Sequence, residues 1–425
     1  MFSQPTLGQT LEQAITHTLK DNPEIGSSYN EFISKKYLHE AAVGAYLPAI
    51  NMDAEVGREI TKSSSGNISN KTDNNSKQIS ASLTQLIWDG NGTINNILRT
   101  EADAESLRLQ FLSDVSDKML EVIKVYLDVV KAYEIIDISE SNLSVHKYIY
   151  DDVSKRFKAG IGSTADLAQI EARLAKAHSN LASAKSNLHD SQTKFIRVVD
   201  EKPEKLLFPN RKYDSLPHTV EEAIALAFQL HPVIQVASAD VNSAKYQYEQ
   251  SKGSSYPTIS VEVTHTWSED RNGFKGINSE TLAMLRLQLN LFNGGSDVAN
   301  SQSFIYQLNK ARDLQEAAYQ NVEESVRLSW SAFNLSKKQN EFLSEQVNAA
   351  FETSMAYEKQ YNIGRRTLLD LLNTENDLFE ARKEYLESKY SKEYSKYQLM
   401  NAIGLLPSTI NVDMPEEWLK MIRVN

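Results

Sequence analysis

The chain has no cysteine in its 425 residues, which removes disulfides, thiol nucleophiles and thiolate-bound metals together. No run approaches the ~18 consecutive apolar residues that a membrane-spanning helix needs. That absence leaves a spanning β-barrel untouched, because barrel strands alternate and leave only a weak hydropathy trace. A basic stripe is also missing. The 56 acidic residues against 45 basic ones give a net charge of −11 and a pI near 5.4, the wrong sign for a nucleic-acid surface. Eight histidines are scattered without H-x3-H or HExxH spacing, so no metal site is expected, and His146, alone on a long helical stretch, reads as a surface residue. No P-loop, nucleophile elbow or catalytic triad pattern occurs. The segment GIGSTA at 160–165 fits G-x-G-x-x-A, but it follows a helix rather than a strand and is rejected as a dinucleotide fingerprint. Neither catalysis nor a cofactor is expected. The opening MFSQPTLGQT lacks a basic n-region followed by an apolar h-region, so the expectation is a cytoplasmic protein, or a mature chain with an added Met1 and its leader removed.

Glycine and proline are scarce, and their positions punctuate the chain. Neither occurs in the 67 residues between Gly92 and Gly160 or in the 68 between Gly295 and Gly364. Long helices are predicted over 93–159 and 296–363, each roughly 100 Å at ~1.5 Å per residue. In the first, Leu107, Phe111, Val115, Met119, Val122, Tyr126, Val129, Tyr133 and Ile136 recur at steps of three or four, an apolar helical stripe. Tyr126 and Tyr133 read as packing residues. Half-length helices are predicted over 163–202 and 365–403, and shorter ones over Pro23–Tyr46, behind an Asn22 cap, and Pro232–Ser255. Between short and long helices the period changes to two. Ile50, Met52, Ala54 and Val56, with Ile79, Ala81, Leu83 and Ile87, alternate with polar residues, as do Ile259, Val261 and Val263 with Leu285, Leu287, Leu289 and Leu291. These are β-hairpins over 49–88 and 258–292, each with one apolar face; their polar tips, 61–76 and 268–279, are expected to be long mobile loops. Trp88, Trp267 and Phe292, at the edges of the apolar band, fit a membrane interface. Four strands cannot close a barrel, and open edges are not tolerated in hydrocarbon. The chain must therefore oligomerise, with eight strands from two copies or twelve from three, a choice that periodicity leaves open.

The chain also repeats itself. TLEQAITHTLKDNPEI at 10–25 matches TVEEAIALAFQLHPVI at 219–234, and LIWDGNG at 86–92 matches NLFNGGS at 290–296. FKAGIGSTADLAQIE at 157–171 matches YNIGRRTLLDLLNTE at 361–375. The expected organisation is a first repeat over 1–202, a linker over 203–215, a second repeat over 216–404 and a C-terminal segment over 405–425. Each repeat needs one sharp helix turn, supplied by Gly160 with Gly162 and by Gly364, since glycine takes positive φ at a helix end. In the second copy Arg366, Asp370, Asn373 and Asp377 form a polar stripe suited to a water-filled lumen, although Arg366 and Asp370 are equally a plain i,i+4 pair on a helix.

These segments, in this order and twice over, resemble the TolC family of outer-membrane export channels. The resemblance implies a mainly α fold with a small β part: internally duplicated long helical hairpins forming an α-barrel, and four strands per chain contributing to a trimeric 12-stranded transmembrane β-barrel. It also implies a homotrimer in outer-membrane lipid, with no nucleic acid, a periplasmic helical extension, and a periplasmic adaptor joining the duct to an inner-membrane ABC transporter or other pump. By the same resemblance Tyr361 and Arg366 tie the inner hairpin to its neighbours through Asp166 and close the periplasmic entrance. Asp370 belongs to an acidic ring that favours cations, and Asn373 stands where a second acidic ring is expected. The turns Gly160, Ile161, Gly162 and Ser163, and Gly364, Arg365 and Thr367, match adaptor-docking tips. VGREIT at 56–61, VEESVRLSWSAFN at 322–334 and IGRRTLLDLLNTENDLFEAR at 363–382 look most like the branch serving type I secretion of large adhesins or toxins. The alternatives are a multidrug or metal efflux channel of the same family and, in a different class, a soluble coiled-coil scaffold.

Overall fold

The computed structural model describes residues 8–65, 68–209 and 216–410. Two compact units emerge, one built from 1–29, 110–234 and 319–425, the other from 30–109 and 235–318. The second unit holds one sheet. Its strands β1 (Ala49–Ser65), β2 (Ile68–Trp88), β3 (Thr258–Glu269) and β4 (Ile277–Gln288) lie in the order β1-β2-β3-β4, every neighbouring pair antiparallel. The register puts Ile50 opposite Leu83, Met52 opposite Ala81 and Ala54 opposite Ile79, then Leu83 opposite Val263 and Ile79 opposite Trp267. One face is therefore apolar from strand to strand. The other carries Asp53, Glu55, Glu59 and Thr61 opposite Ser80, Gln78, Asn74 and Thr72. A register shift between Leu86 and Trp88 sets Trp88 opposite Ile259, which returns Trp88 to the apolar face that simple alternation would deny it.

Both hairpin tips differ from expectation. The first has no long loop, because pairing continues through Thr61↔Thr72 and Lys62↔Lys71 to Ser65↔Ile68. A register set by the apolar rungs propagates outward where no proline interrupts the ladder. The second tip, 270–276, is a turn folded back on the polar face of β1–β2 rather than a free loop. Arg271 Nη1 donates to Glu55 at 2.8 Å, the Asn272 amide to Glu59 at 3.1 Å, and Asn74 Nδ2 to the Phe274 carbonyl at 3.4 Å. Arg271→Ala should release this turn, seen as faster cleavage at 270–276 by protease added to intact cells; an unchanged rate would mean that the backbone bonds suffice. β4 ends at Gln288, so Leu289, Leu291 and Phe292 lie beyond the strand.

The LIWDG segment has a local reason. Asp89 accepts from the amide and hydroxyl of Thr93 at 2.8 and 2.6 Å and so caps the helix α3 (Gly92–Lys158), in the manner of an N-cap acid. Gly90 has φ +69°, and a Cβ there would meet the Tyr256 side chain at 2.6 Å.

The first unit packs α1 (Leu11–Asp21), α4 (Thr164–Val199), α5 (Val220–Leu230), α8 (Leu368–Ile403) and α9 (Leu406–Thr409) with stretches of α3 and of α7 (Ser296–Asn362), while α2 (Pro23–Gly44) and α6 (Pro232–Lys252) start in it and continue into the second unit. α8 starts three residues later than expected, because Thr367 caps it. On α3, Phe111, Val115, Met119, Val122, Tyr126 and Val129 are buried in one cluster with Leu11, Ile15, Phe195 and Met400. Leu206 and Phe208 of the linker pack on the same cluster. Of the expected linker, 210–215 lies outside the described residues, as do 1–7, 66–67 and, in the C-terminal segment, 411–425. Ile410 joins the core.

Tyr126 does more than pack. Its hydroxyl lies 2.8 Å from the Gln9 carbonyl and 2.7 Å from that of Leu207, and accepts from the Leu207 amide at 3.0 Å. Burial, the largest cause, pushes the phenol pKa far up. Tyr126→Phe takes its partner from the Leu207 carbonyl, while the Leu207 amide keeps its bond to the Gln9 carbonyl at 3.3 Å, and should cost about 1–3 kcal/mol, read as a lower midpoint in urea unfolding followed by circular dichroism. Tyr133, by contrast, is 41% exposed and its hydroxyl accepts from Gln192 at 2.9 Å. His146 is not a surface residue: it is 3% exposed, with Nδ1 2.9 Å from the Asn142 carbonyl. Its steps from Leu143, Ile149 and Val153, all buried, place it on the buried stripe of α3.

Candidate functional site: the paired helix turns

The two turns singled out by their repeated motif are built alike. At the end of α3 the Gly160 amide bonds to the Phe157 carbonyl and the Ile161 amide to that of Arg156, both at 3.0 Å. At the end of α7 the Gly364 amide bonds to Tyr361 at 2.9 Å and the Arg365 amide to Gln360 at 2.8 Å. With φ of +78° at Gly160 and +72° at Gly364, each is a Schellman cap, which satisfies the last carbonyls of a long helix. Gly162 serves a different need. Its φ is not positive, but a Cβ would stand 2.7 Å from the Phe157 nitrogen and 2.8 Å from its Cα, so the chain crosses the last turn of α3 where only hydrogen fits. The second turn has Arg366 at the aligned position.

Each following helix is capped at once. Ser163 Oγ accepts from the Ala165 amide at 3.1 Å. Thr367 and Asp370 form a reciprocal box: Thr367 Oγ1 accepts from the Asp370 amide at 3.2 Å, while Asp370 Oδ2 accepts from the Thr367 hydroxyl at 2.8 Å and amide at 3.2 Å. The T-x-x-D spacing signals this box in sequence. Beneath the turns, Ile149 and Val153 of α3, Ile170 of α4, and Leu368, Leu371 and Leu372 of α8 form one buried cluster, with Leu167 and half-buried Tyr361 against it. The two turns therefore share a core.

The polar residues of the site divide as follows. Arg366 lies 4.2 Å from the centre of the Tyr357 ring and donates to Gln360 Oε1 at 3.1 Å. It forms no ion pair with Asp370, whose carboxylate is occupied by the cap. Asp166 makes no ion pair within the chain among the described residues. Tyr361 instead meets Arg156, whose guanidinium is 5.5 Å from the ring centre and also pairs with Asp152 at 2.8 Å. Burial raises the Tyr361 phenol pKa, against the pull of Arg156 and with help from Asp152 and Asp166. Crowding of a threefold set would raise the Asp370 pKa. Within one chain the direction is downward, from the Thr367 hydroxyl first, then its amide, with Arg366 adding. Asn373 accepts from Arg173 Nη2 at 2.8 Å, and Asn376 from Lys176 Nζ at 3.3 Å; these contacts join residues 200 apart and carried no signal in sequence. Above the turns a cavity of about 540 Å³ opens between α3 and α7 on a floor of α8, lined by Tyr148, Asp152, Arg156, Glu358, Glu375 and Arg382 among others. No three metal-ligating side chains converge among the described residues. Of the aromatics expected at a membrane interface, Trp88 and Trp267 lie on the apolar face of the sheet, and Phe292 is 82% exposed beyond β4.

A sheet with an apolar outer face and two unpaired edge strands, joined to capped helical hairpins, defines a subunit of an outer-membrane channel, and the chain belongs to the outer membrane efflux protein family, whose profile it matches over 15–199 and 223–405. It is 23% identical over 429 residues to the outer membrane efflux protein BepC of Brucella suis, spanning 100% of this chain and 92% of that protein. It is 22% identical to TolC of Escherichia coli, over 95% of this chain and 84% of TolC. It is also 22% identical to the alkaline protease secretion protein AprF of Pseudomonas aeruginosa, over 88% and 79%. In structure it superposes on the CmeC outer membrane channel of Campylobacter jejuni with a TM-score of 0.81 at 15% identity, over 97% of this chain and 89% of that one. The protein is an outer-membrane channel with a periplasmic helical extension and is not an enzyme. No single helix among the described residues is long and apolar enough to cross a membrane; the strands do so.

Proposed function

We propose that the chain is the homotrimeric duct of a tripartite type I secretion system, passing proteins of the large adhesin or toxin class through the periplasm and outer membrane. The observation that carries this reading is the second turn, IGRRTLLDLLNTENDLFEAR, with its Arg366 anchor and Thr367–Asp370 cap. Similarity to a protein named for alkaline protease secretion supports it. The exposed turn residues Ile161, Ser163, Gly364, Arg365 and Thr367 are the adaptor-docking tips, and energy comes from an ABC transporter in the inner membrane. Efflux of small molecules is the second reading, favoured by the similarity to an efflux protein. Deleting the gene separates the two. Loss of a large protein from the medium with unchanged drug and metal tolerance supports export; the reverse pattern supports efflux and overturns the protein-export reading.

Asp370 supplies the selectivity of the entrance in this proposal. Asp370→Ala should lower the cation-to-anion permeability ratio in planar bilayers, and an unaltered reversal potential would reduce the carboxylate to a helix cap. The pH dependence has a defined sign. A carboxyl whose folded pKa is held below its ordinary value keeps its charge, and its contribution to the cap, above the ordinary value of 3.8. Both are lost as pH falls through the lowered value. Where the cap governs the ring, cation preference is flat from neutrality down to about pH 4 and falls only below it; a fall that begins above pH 4 shows that threefold crowding of the carboxylates outweighs the cap.

A further inference from the structure

The apolar face of the sheet carries, towards its tip and interleaved with Val56 and Ile60, a charge pattern that the duct does not use. β1 and β2 contain four cations, and all four stand on the apolar-facing side: Lys77 opposite Val56, Arg58 opposite Asn75, and Lys62 opposite Lys71. Three of the four carboxylates in these strands, Asp53, Glu55 and Glu59, stand on the other side, and only Asp73 shares the cationic one. A chain of net charge −11 thus presents a local excess of positive charge towards lipid.

Lys62 and Lys71 are the centre of it. They face each other directly across the ladder, both exposed, and like charges so placed repel. Neither has a carboxylate within ion-pair distance among the described residues. Asp73, two residues along from Lys71, is held by Arg58 through two bonds of 2.8 Å. That pair and Lys77–Glu269 at 3.0 Å are open to solvent, with Arg58 69% and Lys77 54% exposed. Such exposed pairs are weakly held and can share their cation with an incoming anion.

The position names the anion. Trp267 and Ile79 form one rung of the apolar face; Lys77 stands two residues and Lys71 eight residues further towards the tip. At ~3.3 Å per residue the cations run from about 7 to about 26 Å along the strand beyond that rung. The strands leave the periplasmic helices at residues 49 and 88, so this end points outward, where the outer leaflet presents phosphorylated glycolipid. We propose that this face binds the phosphorylated headgroup of lipopolysaccharide, with Lys62 and Lys71 sharing one phosphate and with Arg58 and Lys77, about 13 and 20 Å back along the strands, meeting a second phosphate of the same glycolipid. A phosphate between the two lysines turns their repulsion into a bridge, and the guanidinium offers a fork that fits a second phosphate oxygen pair. The inference rests on the outer-membrane location and is independent of what the duct exports.

The test is native mass spectrometry of the detergent-purified full chain titrated with lipopolysaccharide, with the same glycolipid stripped of phosphate, and with inorganic phosphate as competitor. Phosphorylated lipopolysaccharide should bind, removal of its phosphates should weaken binding by roughly thirtyfold, and Lys62→Gln with Lys71→Gln should do the same. Lys62→Arg with Lys71→Arg should retain binding. Equal affinity for the stripped glycolipid would show adhesion through acyl chains alone and overturn the proposal, as would an unchanged Gln variant. Displacement by millimolar inorganic phosphate would mark a free-anion site and overturn it too. Should the Gln variant fail to assemble, the comparison of the two glycolipids decides.

Discussion

Arg366→Ser should raise the single-channel conductance of the protein in planar bilayers. The guanidinium stacks on Tyr357 and bonds to Gln360, so it ties the residue after the second turn back to the last turns of α7. A cation–π contact contributes about 0.5–1 kcal/mol at an exposed site, and the hydrogen bond a similar amount. In a homotrimer the loss recurs three times, about 3–6 kcal/mol in all, which moves a closed-to-open equilibrium by roughly two to four decades. Serine keeps a polar group but cannot reach the ring. Conductance equal to that of the unmodified channel would remove Arg366 from the closing device and leave it a surface contact.

Gly162→Ala should damage the first turn more than Gly364→Ala damages the second. At Gly364 the penalty is conformational: φ is +72° but nothing lies within 4 Å of a new Cβ, so the strain is about 1–2 kcal/mol. At Gly162 the new methyl meets the Phe157 backbone at 2.7 and 2.8 Å, and backbone, unlike a side-chain tip, cannot step aside without opening the Schellman bonds of Gly160 and Ile161. Hydrogen exchange reads this directly. The Gly160 and Ile161 amides should exchange roughly ten- to a hundredfold faster in Gly162→Ala, with the Gly364 and Arg365 amides unaffected. Equal protection in both variants would mean that the first turn has slack that its geometry does not show.

Much of the architecture was legible because it rests on local rules. Long stretches free of glycine and proline with apolar residues at steps of three and four make helices; a change to period two makes strands with one apolar face; glycine after a helix makes a cap. The recurrence of these signals in a shared order then carried the family. Structure departs from these local signals where the chain meets itself. A lone histidine says nothing of the face it occupies, so His146 reads as exposed in the sequence, whereas Leu143, Ile149 and Val153 around it set it on the buried stripe. Serine, asparagine and lysine at the tips read as loop, yet in the first tip a ladder already in register extends through them, and the second is a turn tied to β1 and β2. Trp88 reaches the apolar face only through the shift after Leu86.

Composition, period and punctuation by themselves determined the kind of elements, their order and the presence of two glycine turns, since each is a property of neighbouring residues. Tertiary structure alone decided that Asn373 answers Arg173, that Leu368, Leu371 and Leu372 pack against Ile149, Val153 and Ile170, and that Arg271 pins a turn to Glu55. Those are contacts between segments far apart in the chain, and distance along a sequence carries no information on which side chains a fold will bring within 3 Å of one another.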